Sequence, residues 1–140
     1  MKIMLAISLA GLAIVGIFAT VGRSAAPVVN DVNALMVVKL EDSKRVLEGL
    51  TTENFDLVVK NSQAMSLLSE DAAWQVLHTP EYVERSAEFR RTADRLTAAA
   101  KKKNLDGAAL AYVELTMKCI DCHKYVRDQQ VRHDARPPAK

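Results

Sequence analysis

The chain has 140 residues, 49% of them hydrophobic, 5% aromatic and 26% charged, with five glycines, four prolines and two cysteines. One domain fits that length, and the shortage of aromatics and turn formers argues for helices and against a sandwich or barrel. The net charge of +2 is a leader effect: residues 1–26 contain Lys2 and Arg23, and without them seventeen basic residues face seventeen acidic ones. That excludes a basic field for nucleic acid.

The chain opens on a run that is apolar from Ile3 to Gly22, between Lys2 and Arg23. Some twenty such residues make about 30 Å of helix, enough to span a bilayer. A cleaved signal peptide and a retained membrane anchor both fit. Ser24 and Ala26 have the sizes a cleavage site needs, but Pro27 follows, and Thr20 with Gly22 is a weaker site. On either reading the bulk of the chain is exported, to the periplasm or another extracytoplasmic space.

Four helices follow, with residues 27–130 as the domain. Asn30 or Asp31 caps the first, whose stripe is Val29, Val32, Met36, Leu40, Ser43, Leu47 and Leu50, at spacings of three and four. Gly49 stands near its end, and Thr51 to Asn54 form the turn. The second helix runs from about Glu53 to Ser69, with Phe55, Val58, Val59, Ser62, Met65 and Leu68 on one face. Residues 69–78, including Trp74 and Leu77, form a short helical piece or a connection. Thr79 as N-cap and Pro80 at N1 then start a third helix reaching about Lys103. Its seam is Tyr82, Ser86, Phe89, Ala93, Leu96 and Ala100. After a break at 104–107, with Asp106 as N-cap, the fourth helix carries Ala108, Tyr112, Leu115, Cys119, Cys122 and Val126. Residues 131–140 are charged and Pro-rich and are expected to be a disordered tail. Four such stripes joined by short connections predict an all-α antiparallel four-helix bundle.

The fourth seam differs from the others because two of its members are cysteines. Cys119-Ile120-Asp121-Cys122-His123 fits C-x-x-C-H, the attachment pattern of c-type haem. Two thiols three residues apart lie on one side of a helical turn, from which they can add across the two vinyl groups of haem. The adjacent histidine then reaches the iron. Other readings compete: two packing cysteines, a redox dithiol, a zinc site recruiting His78 or His133, or an i, i+3 disulfide strained in a helix. The export signal, the absence of other cysteines and the inward seam favour one covalent haem, held by Cys119 and Cys122 with His123 as the proximal iron ligand. No methionine follows His123, so a second axial ligand has to come from an earlier helix.

A helical bundle with C-x-x-C-H in its last helix resembles cytochrome c′ and its low-spin relatives, over about residues 28–130. The resemblance implies thioether roles for Cys119 and Cys122 and a proximal role for His123. It also implies a charge beside the proximal imidazole from Arg127, four residues on. The aromatic that the family places just before that arginine is Val126 here, with Tyr125 one residue earlier. In that family the first helix presents the distal residue. Met36 is the candidate, giving a closed low-spin site suited to one-electron transfer. Leu40, one turn on, is the competitor; with Leu40 distal the iron stays five-coordinate and binds nitric oxide or carbon monoxide. The family's arginine near the propionates, four residues before the distal position, is Val32 here, with Lys39 and Arg45 as stand-ins on the same helix. On either haem reading the chain is an electron carrier or gas binder rather than an enzyme, with redox proteins as partners. Relatives of this fold often dimerise through the first two helices, so a homodimer joins the expectations, as does a membrane tether through residues 3–22. A haem-free anchored bundle is the third reading.

Overall fold

The computed structural model describes residues 32–71 and 74–135. The apolar run at residues 3–22 expected to be a leader, the expected caps Asn30 and Asp31, and residues 72–73 and 136–140 lie outside them. Four helices follow one another, α1 (Val32–Thr51), α2 (Phe55–Leu68), α3 (Pro80–Lys101) and α4 (Leu105–Asp134), with no strand among the described residues. The architecture is an all-helical four-helix bundle. No helix among the described residues is long and apolar enough to cross a membrane.

The two short connections share one construction. Glu53 and Lys103 both take φ 53°, and each is followed by an asparagine that caps the next helix. Asn54 Oδ1 accepts from Leu57 N at 3.1 Å, and Asn104 Oδ1 accepts from Gly107 N at 3.0 Å. One left-handed residue reverses the chain, and the asparagine satisfies a donor that the new helix leaves open. Asn104 therefore takes the capping role expected of Asp106, which sits in the first turn, where a carboxylate suits the helix dipole. Gly49 allows the first reversal to close tightly: a Cβ there would stand 2.8 Å from Val58 Cγ2 and 3.0 Å from Asn54 O.

The longer connection from Ser69 to Thr79 closes one end of the bundle through Trp74. Its indole Nε1 donates to Ser86 Oγ at 2.9 Å, and its carbonyl accepts from the Tyr82 hydroxyl. Burial, with the neighbouring Cys122 second, pushes the Tyr82 phenol up to about 12. Thr79 caps α3 with Pro80 behind it, as its sequence predicts.

The α3 seam is buried at all six expected positions, and the faces of α2 and α4 also fall where their spacing puts them. On α1 the buried face is different. It consists of Leu35, Lys39, Val46, Gly49 and Leu50, whereas Leu40 and Leu47 of the expected stripe are 58% and 49% exposed. The inward face is rotated from the expected stripe, and a lysine stands at its centre. The helical end of α4 is also corrected: residues 131–134, assigned to a disordered tail, continue the helix, with Arg132 and His133 in its last turn where cations suit the dipole.

The helices pack closely as α1 on α2, α2 on α3 and α3 on α4, while α1 and α4 touch only sparsely. A hydrogen bond between Ser43 Oγ and Tyr112 Oη, 3.2 Å, ties these two across the seam. The half of the seam beyond that tie carries the cysteines.

Candidate functional site

Cys122 is buried, Cys119 is half-buried, and both are free thiols. Burial pushes both above the ordinary thiol range, while the positive charge of Lys39 pulls them back. His123 follows on the same turn. Burial of part of its ring, then the charges of Lys39 and Arg127, hold its imidazolium below the usual range. The backbone explains the juxtaposition: positions 119, 122 and 123 of a regular helix fall within one turn, on the side facing α1.

Among the described residues two cavities open in this seam. The larger, about 250 Å³, is lined by Met36, Lys39, Trp74, Tyr82, Cys122, His123 and Val126, among others. The smaller, about 180 Å³, is lined by Met36, Lys39, Leu40, Met65, Cys119, Ile120 and His123, with Ser43 and Thr116. Met36, Lys39 and His123 belong to both. One cysteine opens on each side, and α1 and α4 supply most of the walls.

The expected site residues separate into three groups. Cys119, Cys122, His123 and Met36 come together in the seam. Leu40 reaches only the rim of the smaller cavity, from an exposed position. Arg127 is exposed one turn beyond His123 and acts on it through charge. Tyr125 is engaged elsewhere: its hydroxyl bonds Thr79 Oγ1 at 2.7 Å, and Arg85 lies 5.3 Å over its ring. That joins α4 to the start of α3. Arg45 is exposed and paired with Glu41 and Glu48. His78 and His133 are exposed, and Met117 is 48% exposed on the outer side of α4. Among the described residues no three His, Cys, Asp or Glu side chains are grouped to hold a metal ion, which leaves the zinc reading without a ligand set there.

Three more residues line the seam: Lys39, expected only as a stand-in near the propionates, Trp74, expected in the connection, and Met65, expected on the face of α2. Lys39 is 6% exposed and is the one charged residue in the core among the described residues. Its Nζ stands 4.2 Å from the Trp74 ring centroid and 4.0 Å from that of Phe89, two rings 5.3 Å apart. Burial lowers its pKa, opposed by the two cysteines. Trp74 forms a wall of the larger cavity. Met65 of α2, fully buried, forms a wall of the smaller one and brings a second thioether to the seam.

Comparison with protein-family models, with curated proteins and with solved structures finds no match to this chain.

Proposed function

We propose that this chain is an exported c-type cytochrome that carries one haem in the α1–α4 seam and transfers single electrons. The observation that carries the reading is a convergence. The C-x-x-C-H residues of α4 and the thioether of Met36 on α1 line the same pair of cavities, in the one loosely packed seam of the bundle. The donor set fits the group: two free thiols for thioether bonds, an imidazole beside them, and a sulfur ligand on the facing helix. The walls are mostly apolar, as a flat macrocycle requires.

A bound haem supplies a one-electron iron couple, and His/Met ligation raises its potential. The chain's own residues do the rest. Cys119 and Cys122 hold the group against loss by dilution outside the cell. His123 orients from α4, with Arg127 disfavouring a charged imidazole. Met36, on a packed helix, offers its sulfur from a fixed backbone, which limits rearrangement between oxidation states. Trp74, Tyr82 and Val126 keep water from one side and Met65 and Ile120 from the other. The partners are then redox proteins that approach the exposed side of the seam. Leu40, exposed at the rim, gives less support to a five-coordinate gas-binding site than Met36 gives to a closed one.

The test is spectroscopic. The chain is expressed with its leader in a host with haem-attachment machinery, and the purified protein is extracted with acid acetone. Haem that stays with the polypeptide is expected, along with a low-spin spectrum that carbon monoxide does not change. Haem that extracts fully, or its absence, overturns the cytochrome reading. Covalent haem with a high-spin spectrum that shifts with carbon monoxide replaces electron transfer with gas binding.

A further inference from the structure

The seam holds one more thioether than a single haem iron uses. Met36 offers one from α1, and Met65 of α2, 1% exposed, offers a second to the smaller cavity. Cys119 and His123 line the same cavity. They are four residues apart on α4 and so are neighbours on one helix face. Three helices thus bring two thioethers, one thiol and one imidazole to a space of about 180 Å³. Cys122 opens on the other cavity, so the two thiols are divided between them. Methionine has three rotatable bonds and a polarisable sulfur, so both thioethers can swing toward a common centre. The donor set is soft. No carboxylate lines this cavity, and the Lys39 nitrogen is held over the Trp74 and Phe89 rings.

We infer that the smaller cavity is a copper(I) site of the haem-free chain, with Met36, Met65, Cys119 and His123 as its ligands. Thiolate and thioether donors together favour a soft monovalent ion. Zinc, which takes thiolate, imidazole and carboxylate, gains only Cys119 and His123 here. Charge points the same way. On binding, the Cys119 thiol gives its proton to solvent and its sulfur bonds the ion, with no change of oxidation state. Thiolate and copper(I) then cancel, so no net charge is added beside Lys39, which is buried at the same cavity. A divalent ion on one thiolate leaves a positive charge there, which burial penalises. The site does not depend on the haem reading, but it bears on it. Copper and haem both claim the Cys119 sulfur, so a chain loaded with one excludes the other.

The test uses the full-length chain purified without haem attachment, kept reduced and free of oxygen. Copper(I) is titrated in competition with the chromophoric chelator bicinchoninate. One ion per chain is expected, with sulfur neighbours in its X-ray absorption spectrum. Met65→Leu conserves the volume of a buried side chain, and far-ultraviolet circular dichroism checks its fold. It is expected to weaken binding about tenfold. Met117→Leu, on the outer side of α4, is the control and leaves the affinity unchanged. Cys119→Ser is expected to cost more than Cys122→Ser, whose sulfur opens on the other cavity. Equal losses in the two cysteine variants with none in Met65→Leu overturn the site, because that is the pattern of a simple dithiol. A wild type that leaves all the copper with the chelator overturns it as well. Neither result touches the cytochrome reading, which stands or falls on covalent haem.

Discussion

Lys39→Met tests stability, because the folded chain without haem keeps the Lys39 amine in its core, where burial disfavours its charge. Transfer of an ion from water to the interior costs several kcal/mol after relaxation. Two ring faces at 4.0 and 4.2 Å offset that by up to about 2 kcal/mol each when desolvated. Roughly 1–3 kcal/mol remains uncompensated, and a methionine in the same place removes the whole ionic term while filling the same space. Urea unfolding at pH 7, followed by Trp74 fluorescence and circular dichroism, reads the difference. With a slope of about 1–2 kcal/mol/M for a domain of this size, the midpoint is expected to rise by about 1 M with the slope unchanged. Lys44→Met, on the exposed side of α1, is the control and shifts the midpoint by less than about 0.5 M. A midpoint that falls in Lys39→Met refutes the reasoning: the rings would then repay the desolvation in full.

Met36→Ala is expected to leave haem covalently attached while turning the low-spin spectrum high-spin and opening the iron to carbon monoxide, read by optical spectra before and after the gas; an unchanged low-spin spectrum would pass the ligand role to another residue, with Met65 the nearest sulfur in the seam. Gly49→Ala gains helix propensity of about 1 kcal/mol but drives a methyl into Val58 Cγ2 at 2.8 Å and backbone at 3.0 Å, so a net loss of about 1–2 kcal/mol is expected in the same urea assay. Lys103→Gly relieves a non-glycine residue at φ 53° and is expected to stabilise by about 0.5–1 kcal/mol, measured as a raised midpoint. His123, whose folded pKa lies below its usual value, takes up its proton first in the unfolded chain; its contribution to the haem-free protein is complete above about pH 6.5 and declines as the pH falls through that range, and His123→Gln is expected to flatten that part of a stability–pH curve.

The bundle was legible because its seams repeat at three and four residues. The α3 stripe, with Tyr82, Phe89 and Leu96 bounded by Thr79-Pro80 and the lysines at 101–103, names its own face and both its ends. The C-x-x-C-H cluster was legible for the same reason, since Cys119 and Cys122 continue a seam that Leu115 begins. The face of α1 was not. It carries two apolar stripes side by side, and the inward one has Lys39 at its centre, so hydropathy chose the stripe containing Leu40 and Leu47. Met36 lies at the boundary between the two and kept its place in the site by that accident of register. Trp74 and Met65 were seen as core residues, and nothing in their spacing tells a wall of a cavity from a wall of a packed interior. The position of a helix end is equally local: residues 131–134 look like tail by composition, yet continue α4 because no proline or glycine intervenes before Pro137.

The unequal packing of the four seams has a consequence for the order of assembly. Three of them join helices that are neighbours in sequence, two across reversals of only three residues, and such local contacts form quickly. The fourth joins residues 69 apart, as at Ser43 and Tyr112, and carries the largest loop-closure cost. The cysteines sit on that long-range seam, in the fourth of the described helices. Loop-closure cost alone therefore favours contacts that leave the thiols accessible until α1 meets α4.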